Sequence, residues 1–291
     1  METWVIYAIL ASVFAGATSV LAKIGIKGVN SHLATAIRTV VVVLFSWLIV
    51  FIVGSQSELG AVSSRTWFFL VASGLATGAS WLCFFYALKF GTVTNVSPLK
   101  KSSMVLTLIL AFLVLGEPVG LPQLLGMLFI IAGTVLMLKL KKDESEEEAS
   151  KDKKWLVFGL LAAVFASLVT ILGAIGIADV EANLGNAIRV VVVLAASWVM
   201  VFVTGNQKGI SSITNKSWIF LILSGLATGG SWLFFFRALQ IGPASGVVPI
   251  DKLSILLNIL FARIFLGEKQ SAKQLLGLTC LTIGTLILVM G

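Results

Sequence analysis

Charged side chains are scarce in this chain. Only 12% of its 291 residues are Asp, Glu, Lys or Arg, whereas 58% are hydrophobic and the mean hydropathy is +1.04. Because soluble domains carry about 25% charged residues, this composition predicts an integral membrane protein. The formal net charge of +8 is then explained by the basic loops of a membrane protein, and we expect no nucleic-acid partner.

Cysteine and histidine are almost absent. The two cysteines, Cys83 and Cys280, lie in apolar runs, which argues against a disulfide framework and favours packing roles. With one His in the whole chain, a His/Cys metal cluster is excluded, and we find no Gly-rich phosphate loop after a strand-like run. These absences argue against an enzyme, against a metal or organic cofactor, and against transport driven by ATP hydrolysis.

An internal duplication dominates what is present. Shifted by 151 residues, the sequence aligns with itself without an insertion, beginning with Trp4 against Trp155. Repeats of this length are units of architecture. The matched stretches include SGLATG (73–78 and 224–229), LGE (115–117 and 266–268) and QLLG (123–126 and 274–277). The predicted organisation is a first copy at 1–139, a charged linker at 140–154 and a second copy at 155–291.

Each copy contains five apolar runs of roughly 18–23 residues, long enough to cross a hydrocarbon core of about 30 Å. Because five is odd, the second copy must enter the membrane in the opposite direction. The sequence therefore predicts an all-α integral membrane protein with ten transmembrane helices, arranged as two inverted five-helix repeats. The predicted runs are 4–22, 32–54, 66–89, 93–115, 121–139, 155–173, 183–205, 217–240, 244–266 and 272–290.

The basic residues predict the orientation, because cytoplasmic loops of membrane proteins collect Lys and Arg. A chain whose N-terminus lies outside places the linker in the cytoplasm and leaves only four of the 21 basic residues on the outer side. We therefore predict a multi-pass protein of the cell (inner) membrane with both termini outside. The four outer basic residues are Arg65, Arg189, Arg237 and Lys252.

The end of each copy resembles a known repeat. LGEPVGLPQLLGMLFIIAGTVL at 115–136 and LGEKQSAKQLLGLTCLTIGTLIL at 266–288 resemble the EamA repeat of the drug/metabolite transporter superfamily, and the resemblance covers both copies. It implies ten helices, a substrate cavity between two bundles, alternating access, and export or exchange of amino acids, other small metabolites or drugs. Many ten-helix members are thought to hold both termini in the cytoplasm, whereas the charges here predict the opposite.

Ionisable side chains within the apolar runs are candidate functional groups, because each costs a few kcal/mol or more to place in a membrane. Lys101 and Lys252 are basic in both copies and are the best candidates for contacting substrate. The predicted substrate-binding set contains the charged groups, hydroxyls on the same helical faces, and neighbouring aromatic residues: Lys101, Lys252, Arg38, Arg189, Lys100, Asp251, Arg237, Ser103, Ser254, Trp81, Trp232 and Tyr86.

Helix packing is the competing interpretation for several of these positions. Ser and Thr in membrane helices bond their own backbone or a neighbouring helix, and the SGLATG stretches carry a small-xxx-small pattern that lets helices approach closely. Trp81 and Trp232 fit either substrate stacking or packing. Glu117 and Glu268, which follow the fourth run of each copy, are predicted to be turn or capping groups.

One predicted ion pair would be specific to the second copy. Arg237 and Asp251 both differ from their counterparts in the first copy, which are Tyr86 and Lys100. Because both members differ together, we predict that Arg237 and Asp251 are partners. Asp251 is also the intramembrane carboxylate that proton coupling would use.

The balance of these groups favours an anionic substrate, since basic side chains recognise carboxylates and phosphates. We predict a secondary transporter, an exporter or exchanger, of small anionic or zwitterionic metabolites such as amino acids. The alternatives left open are a flippase for a lipid carrier such as polyprenyl phosphate, and a multidrug exporter. The expected partners are a small-molecule substrate and the lipid bilayer, and a monomer is expected because one chain holds both inverted repeats.

Overall fold

The computed structural model describes residues 2–26, 28–87, 90, 103–137, 154–254, 256–257 and 272–290. Within these ranges every regular element is helical. The predicted all-α class is therefore confirmed for the described part of the chain. Of the predicted site residues, Lys100 and Lys101 lie outside the described residues, as do Glu268 and residues 140–153 of the linker.

The helices match the apolar runs, with ends that differ by a few residues where both are described. The first copy contains α1 (Thr3–Gly25), α2 (Ser31–Val53), the 3₁₀-helix η1 (Ser55–Ala61), α3 (Ser64–Ala87), α4 (Ser103–Val114) and α5 (Leu121–Met137). The second copy contains α6 (Lys154–Ile177), α7 (Ala182–Val203), the 3₁₀-helix η2 (Asn206–Ser212), α8 (Asn215–Ile241), α9 (Ala244–Lys252) and α10 (Ala272–Met290).

Six of these helices are long and apolar enough to cross a membrane. They are α1, α2 and α3 in the first copy and α6, α7 and α8 in the second. The described parts of α4, α5 and α10 are apolar but shorter, and α9 has nine residues with Pro249 inside it. The chain is thus a multi-pass membrane protein, and six of the ten predicted spans meet the length that a bilayer requires.

Two glycines end equivalent helices of the two copies. Gly54 follows α2 with a φ of 83°, and Gly205 lies just beyond α7 with a φ of 70°. This left-handed backbone is open to glycine because it has no Cβ to clash with the chain. In each case a 3₁₀-helix follows immediately, η1 after Gly54 and η2 after Gly205.

The helices form two compact units that do not follow the order of the copies. The first unit contains Met1–Leu75, Leu172–Gly242 and Ile250–Glu268, and the second contains Ala76–Ile171, Pro243–Pro249 and Lys269–Gly291. In the first unit α1 packs on α8, and α2 packs on α7 and α8; in the second, α5 packs on α10. Each unit therefore combines segments of both copies.

Within the first unit, part of the apolar core lies between α2 and the second copy. Leu33 and Ala36 of α2 are completely buried, as are Val201 of α7 and Leu221 of α8. The α2 positions lie three residues apart, which places them on one helical face. Burial of that face joins the first copy to the second.

The SGLATG stretches hold two equivalent helix contacts in the first unit. A Cβ at Gly225 would lie 2.7 Å from Val41 Cβ and 3.0 Å from the Arg38 carbonyl oxygen. A Cβ at Gly74 would lie 2.7 Å from Val192 Cβ and 3.0 Å from the carbonyl oxygen one turn earlier on α7. Such distances are far below van der Waals contact, so only glycine fits. The packing interpretation of these stretches is confirmed.

The second unit contains a similar glycine contact between α5 and α10. A Cβ at Gly126 would lie 2.9 Å from the Gly284 carbonyl oxygen, and a Cβ at Gly133 would lie 2.5 Å from the Gly277 carbonyl oxygen. The two helices therefore meet backbone to backbone at two points, each seven residues apart on its own helix. These glycines belong to the QLLG and G-T stretches, so that part of the repeated pattern serves helix packing.

Glu117 of the LGE stretch caps a helix of the other copy. Its carboxylate accepts hydrogen bonds from the backbone N–H of Ala244 at 2.5 Å and of Ser245 at 2.9 Å, at the start of α9. The first N–H groups of a helix have no partner within the helix, and a carboxylate there also interacts favourably with the helix dipole. The predicted capping role of Glu117 is confirmed.

Gly225→Ala tests the contact between α8 and α2. The added Cβ would overlap a side chain and a backbone carbonyl, so we expect the free energy of unfolding to fall by about 1–3 kcal/mol. Thermal or denaturant unfolding of the detergent-solubilised protein measures the change. Gly60→Ala is the matched control, because a Cβ at Gly60 would meet nothing within 4 Å. Equal stability of the two variants would contradict the packing role.

Glu117→Ala tests the cap of α9. Hydrogen bonds to a charged group contribute about 1.5–3 kcal/mol, so we expect a loss of that order in the free energy of unfolding. Hydrogen exchange at Ala244 and Ser245 should also become faster. The exposed Glu58 in η1 provides the control, for which Glu58→Ala should change stability by under about 0.5 kcal/mol. The assignment fails if Glu117→Ala behaves like this control.

Candidate cavity in the first unit

A cavity of about 400 Å³ lies within the first unit. This volume falls in the range of small-molecule sites, which run from about 300 to 1,000 Å³. The cavity is formed by α1, α2, α7 and α8. The residue from α7 is Asn183, at the start of that helix, and the others come from α1, α2 and α8. Its lining residues are Tyr7, Phe14, Phe45, Ile49, Asn183, Gly230, Leu233, Phe234 and Arg237.

Aromatic rings form one wall of this cavity. Tyr7 and Phe14 are seven residues apart on α1, which places them two turns apart on the same face. Phe234 of α8 stacks on both, with ring centroids 6.1 Å from Tyr7 and 5.7 Å from Phe14. Phe45 of α2 adds a fourth ring to the lining. Such a wall suits an apolar or aromatic body, because stacked and tilted rings are favourable at these separations.

Arg237 supplies a positive charge to the cavity. Its Nη1 donates a hydrogen bond of 2.5 Å to Oε1 of Gln240, three residues further along α8. Gln240 Nε2 in turn donates to the carbonyl oxygens of Ile177, at 2.7 Å, and Val180, at 2.6 Å. The guanidinium is thus attached to the end of α6 through a neutral carboxamide.

Asn183 places a carboxamide in the same lining, with a carboxylate behind it. Asn183 Nδ2 donates to Oε1 of Glu181 at 2.7 Å, while Glu181 Oε2 accepts from the backbone N–H of Leu184 at 3.0 Å. Glu181 is therefore the N-cap of α7, which fixes Asn183 beside it. The cavity combines aromatic rings, one guanidinium and one carboxamide.

The structure corrects the predicted pair of Arg237 with Asp251. In the described structure Asp251 Oδ2 pairs with Lys252 Nζ at 2.8 Å, and the partner of Arg237 is Gln240. Asp251 was predicted as the partner because it differs from its counterpart in the first copy. Gln240 differs in the same way, since the first copy has Lys89 at that position. A partner three residues away on the same helix is already within reach of Arg237.

Arg189 is enclosed by aromatic rings. Its side chain is 1% exposed, and its guanidinium carbon lies 4.6 Å from the ring centroid of Trp232 and 4.4 Å from that of Phe236. Nη2 also donates to Asn186 Oδ1 at 3.5 Å. Cation–π contacts of this kind contribute most when the cation is desolvated. In this structure Trp232 therefore contacts a cation of the protein itself.

Arg38 occupies the matching position of the first copy but has different surroundings. Its Nη2 donates to Thr228 Oγ1 at 2.8 Å, and the Nε atoms of both arginines are buried without a hydrogen-bond partner among the described residues. Thr228 Oγ1 itself donates to the Ser224 carbonyl oxygen at 2.7 Å. Both repeated arginines contact α8, one through a hydroxyl and the other through rings, so the two copies are not equivalent here.

The hydroxyls of the SGLATG-SWL region bond to the backbone of neighbouring helices. Ser231 Oγ donates to the Ala11 carbonyl oxygen at 3.0 Å in the first unit. The equivalent residue, Ser80, donates to the Ala162 carbonyl oxygen at 2.8 Å in the second. Ala11 and Ala162 are themselves equivalent positions of the two copies. These contacts confirm the packing interpretation for Ser80 and Ser231.

The remaining predicted residues lie at separate places. In the second unit Tyr86 packs edge-on against Phe158, with ring centroids 4.4 Å apart. Trp81 and Ser103 are partly exposed there, and Ser254 is partly exposed in the first unit. Within the described chain, Arg237 is the member of the predicted set that lines the cavity. The aromatic wall and Asn183 were not predicted, because aromatics in an apolar helix more often pack against lipid or other helices.

Comparisons with known proteins relate both copies to transporters. The model of the EamA-like transporter family matches residues 2–139 and 153–290. An uncharacterized transporter in the cobO 3′ region of Sinorhizobium sp is 45% identical over 136 residues, 47% of this chain and 96% of that protein. An uncharacterized protein of Methanocaldococcus jannaschii is 27% identical over 146 residues, 47% of this chain and 97% of that protein.

A solved crystal structure has the same fold. Its TM-score to this chain is 0.82, at 14% sequence identity, and the match covers 99% of this chain and 96% of the other. The two curated relatives are much shorter than this chain, since 47% of this chain spans 96% and 97% of their lengths. One copy of the duplication is therefore comparable in length to a whole relative.

The contrast between the two arginines predicts different responses to lysine. Arg189→Lys removes the planar group that lies between Trp232 and Phe236, so we expect unfolding free energy to fall by about 1–2 kcal/mol. Arg38→Lys retains a donor for Thr228, so we expect its unfolding free energy to fall by less than that of Arg189→Lys. Thermal unfolding in detergent compares the pair directly. Equal losses would show that the ring contacts of Arg189 do not distinguish it.

Proposed function

The chain belongs to the EamA-like transporter family and is a multi-pass membrane transporter; from this premise we propose that it is a secondary transporter of small metabolites that carry a carboxylate on an apolar body. Amino acids with apolar side chains are the leading class. The transporter works as an exporter or exchanger and draws its energy from gradients. The observation that carries the substrate class is the aromatic cavity with Arg237 in its lining.

The cavity chemistry supports this class in two ways. Arg237 presents a guanidinium, which recognises carboxylates through paired N–H donors, next to rings that accommodate an apolar body. Asn183 adds a carboxamide oxygen that can accept from an ammonium group, with the Glu181 carboxylate immediately behind it. A zwitterion would find a partner for each charge. A lipophilic cation, in contrast, would meet the guanidinium as a like charge.

The proposed transport cycle follows from an inverted repeat. The ten helices cross the cell membrane ten times as two inverted five-helix repeats, with both termini outside and the linker in the cytoplasm. Alternating access opens a central substrate site to one side of the membrane at a time. One chain supplies both repeats, so the transporter acts as a monomer, and Asp251 is the intramembrane carboxylate available for proton coupling.

Ligand-induced stabilisation tests the substrate class. Phenylalanine, phenylalaninamide and phenethylamine share one apolar body, and only the first carries a carboxylate. We expect phenylalanine to stabilise the purified protein in a thermal-shift assay, by about 2.7 kcal/mol at a concentration 100 times Kd, and the other two compounds to stabilise it much less. Arg237→Gln should abolish the difference. The exposed Arg65 lies outside the cavity lining, so Arg65→Gln is the matched control.

Uptake into proteoliposomes then separates binding from transport. Phenylalanine should exchange across the membrane in the wild type and the Arg65→Gln protein, and much more slowly in Arg237→Gln. Equal stabilisation by phenylalanine and phenethylamine would overturn the carboxylate-based class and favour a multidrug exporter. Stabilisation by polyprenyl phosphate alone would favour a lipid-carrier flippase.

A further inference from the structure

The Gln240 carboxamide has a fixed orientation. Its nitrogen lies 2.7 Å from the Ile177 carbonyl oxygen and 2.6 Å from the Val180 carbonyl oxygen. Both neighbours only accept hydrogen bonds, so this atom must be Nε2, and its two hydrogens are both used. The remaining atom, Oε1, accepts from Arg237 Nη1 at 2.5 Å. Flipping the amide would place an oxygen against two carbonyls and NH₂ against a guanidinium.

This orientation restrains Arg237. A guanidinium carries five N–H donors in a rigid plane, and Gln240 holds one of them. Holding Nη1 limits the rotation of a long side chain, which otherwise loses about 2 kcal/mol of rotamer entropy when a ligand immobilises it. Within the described residues this guanidinium makes no other hydrogen bond, so its other donors can meet a substrate. A restrained cation in the cavity lining is better prepared for a carboxylate than a mobile one.

The partner is also neutral, which preserves the charge of Arg237. A carboxylate at position 240 would form an ion pair with the guanidinium and reduce its attraction for an incoming anion. Asp251 is the first acidic residue in the sequence after α8, and its carboxylate is paired with Lys252. The Glu181 carboxylate is bound by Asn183 and the Leu184 amide. Gln240 therefore fixes Arg237 without neutralising it.

The first copy lacks both members of this arrangement. Tyr86 stands at the position of Arg237, and Lys89 stands at the position of Gln240. The guanidinium and the carboxamide that holds it are thus found together in the second copy and replaced together in the first. This sequence comparison does not depend on the shape of the cavity, and it supports a shared role for Arg237 and Gln240.

We propose that Gln240 is a positioning residue that determines charge specificity in this transporter, by holding Arg237 in the orientation that selects a substrate carboxylate. This inference rests on the proposed function, since it assumes that the cavity binds the substrate. Gln240 itself does not contact the substrate. Its effect is to set the preference for a carboxylate over the neutral amide of the same molecule.

Two variants separate this role from a purely structural one. Gln240→Glu keeps the size and the acceptor for Arg237, but it removes both donors and adds a charge that pairs with the guanidinium. Gln240→Met keeps the approximate length and removes every hydrogen bond. Both variants lose the bonds to Ile177 and Val180, so both are expected to be less stable than the wild type. Gln56→Glu, at an exposed position of η1 in the same unit, is the matched charge control.

The decisive measurement is the ratio of the Kd for phenylalaninamide to the Kd for phenylalanine, determined for the folded fraction of each purified protein in detergent. We expect this ratio to fall at least about tenfold in Gln240→Glu, and to fall by a smaller factor in Gln240→Met, while Gln56→Glu keeps the wild-type value. A loss of stability alone does not change the ratio. An unchanged ratio in both Gln240 variants would overturn the proposal.

The same experiment distinguishes this failure from that of the proposed function. If the wild type prefers phenylalanine and Arg237→Gln removes the preference, the proposed site stands, and the Gln240 variants then decide the present inference. If the wild type shows no preference for the carboxylate, the proposed function is wrong and the role of Gln240 falls with it. If Gln240→Met cannot be purified folded, Gln240→Glu supplies the decision.

Discussion

Close backbone contact between glycine and a carbonyl organises the first unit. Gly225 of α8 lies against the Arg38 carbonyl oxygen of α2, and Gly74 of α3 lies against the Arg189 carbonyl oxygen of α7. In a membrane, helices associate by such packing and by hydrogen bonds, since lipid provides no hydrophobic force between them. The first contact also brings Thr228, three residues after Gly225, within 2.8 Å of the Arg38 guanidinium. The same helix contact therefore determines both the packing of α8 on α2 and the position of the Arg38 guanidinium.

The features that the two copies share are mainly structural, whereas the cavity is built from features that differ. SGLATG, QLLG and LGE provide glycine contacts and a helix cap. By contrast, four cavity positions have unlike counterparts: Phe45 with Ala196, Asn183 with His32, Phe234 with Cys83, and Arg237 with Tyr86. Both copies contribute to the lining, and at these four positions the repeat does not reproduce it. Under the proposed function, this asymmetry leaves one chemically defined substrate pocket in place of a symmetric pair.

Helix positions could be predicted from the sequence because hydrophobic length determines them. The run predicted at 32–54 is α2 at Ser31–Val53, and the glycine patterns correctly indicated close packing. The candidate site was harder to predict from the sequence. Arg189 and Arg38 share the stretch AIR, yet their environments differ because α8 presents two rings to one and a threonine to the other. Sequence spacing does not show which helix face meets which neighbour, so the aromatic wall around Phe234 could not be separated from ordinary packing.

The same limit explains the error over the partner of Arg237. A search for opposite charge selects Asp251, because burying a cation near an anion reduces its desolvation cost. The protein uses a carboxamide instead, and under the proposed function that choice has a consequence for transport. A guanidinium already paired with an internal carboxylate would have to exchange that partner for the substrate, whereas one held by Gln240 can accept a substrate carboxylate as its first anion. Release then restores a hydrogen-bonded cation and not a bare one. Because the Gln240 carboxamide carries no net charge, the positive charge of Arg237 is neutralised only while the substrate carboxylate is bound. In the proposed carrier, the same anion can then bind and leave in each cycle.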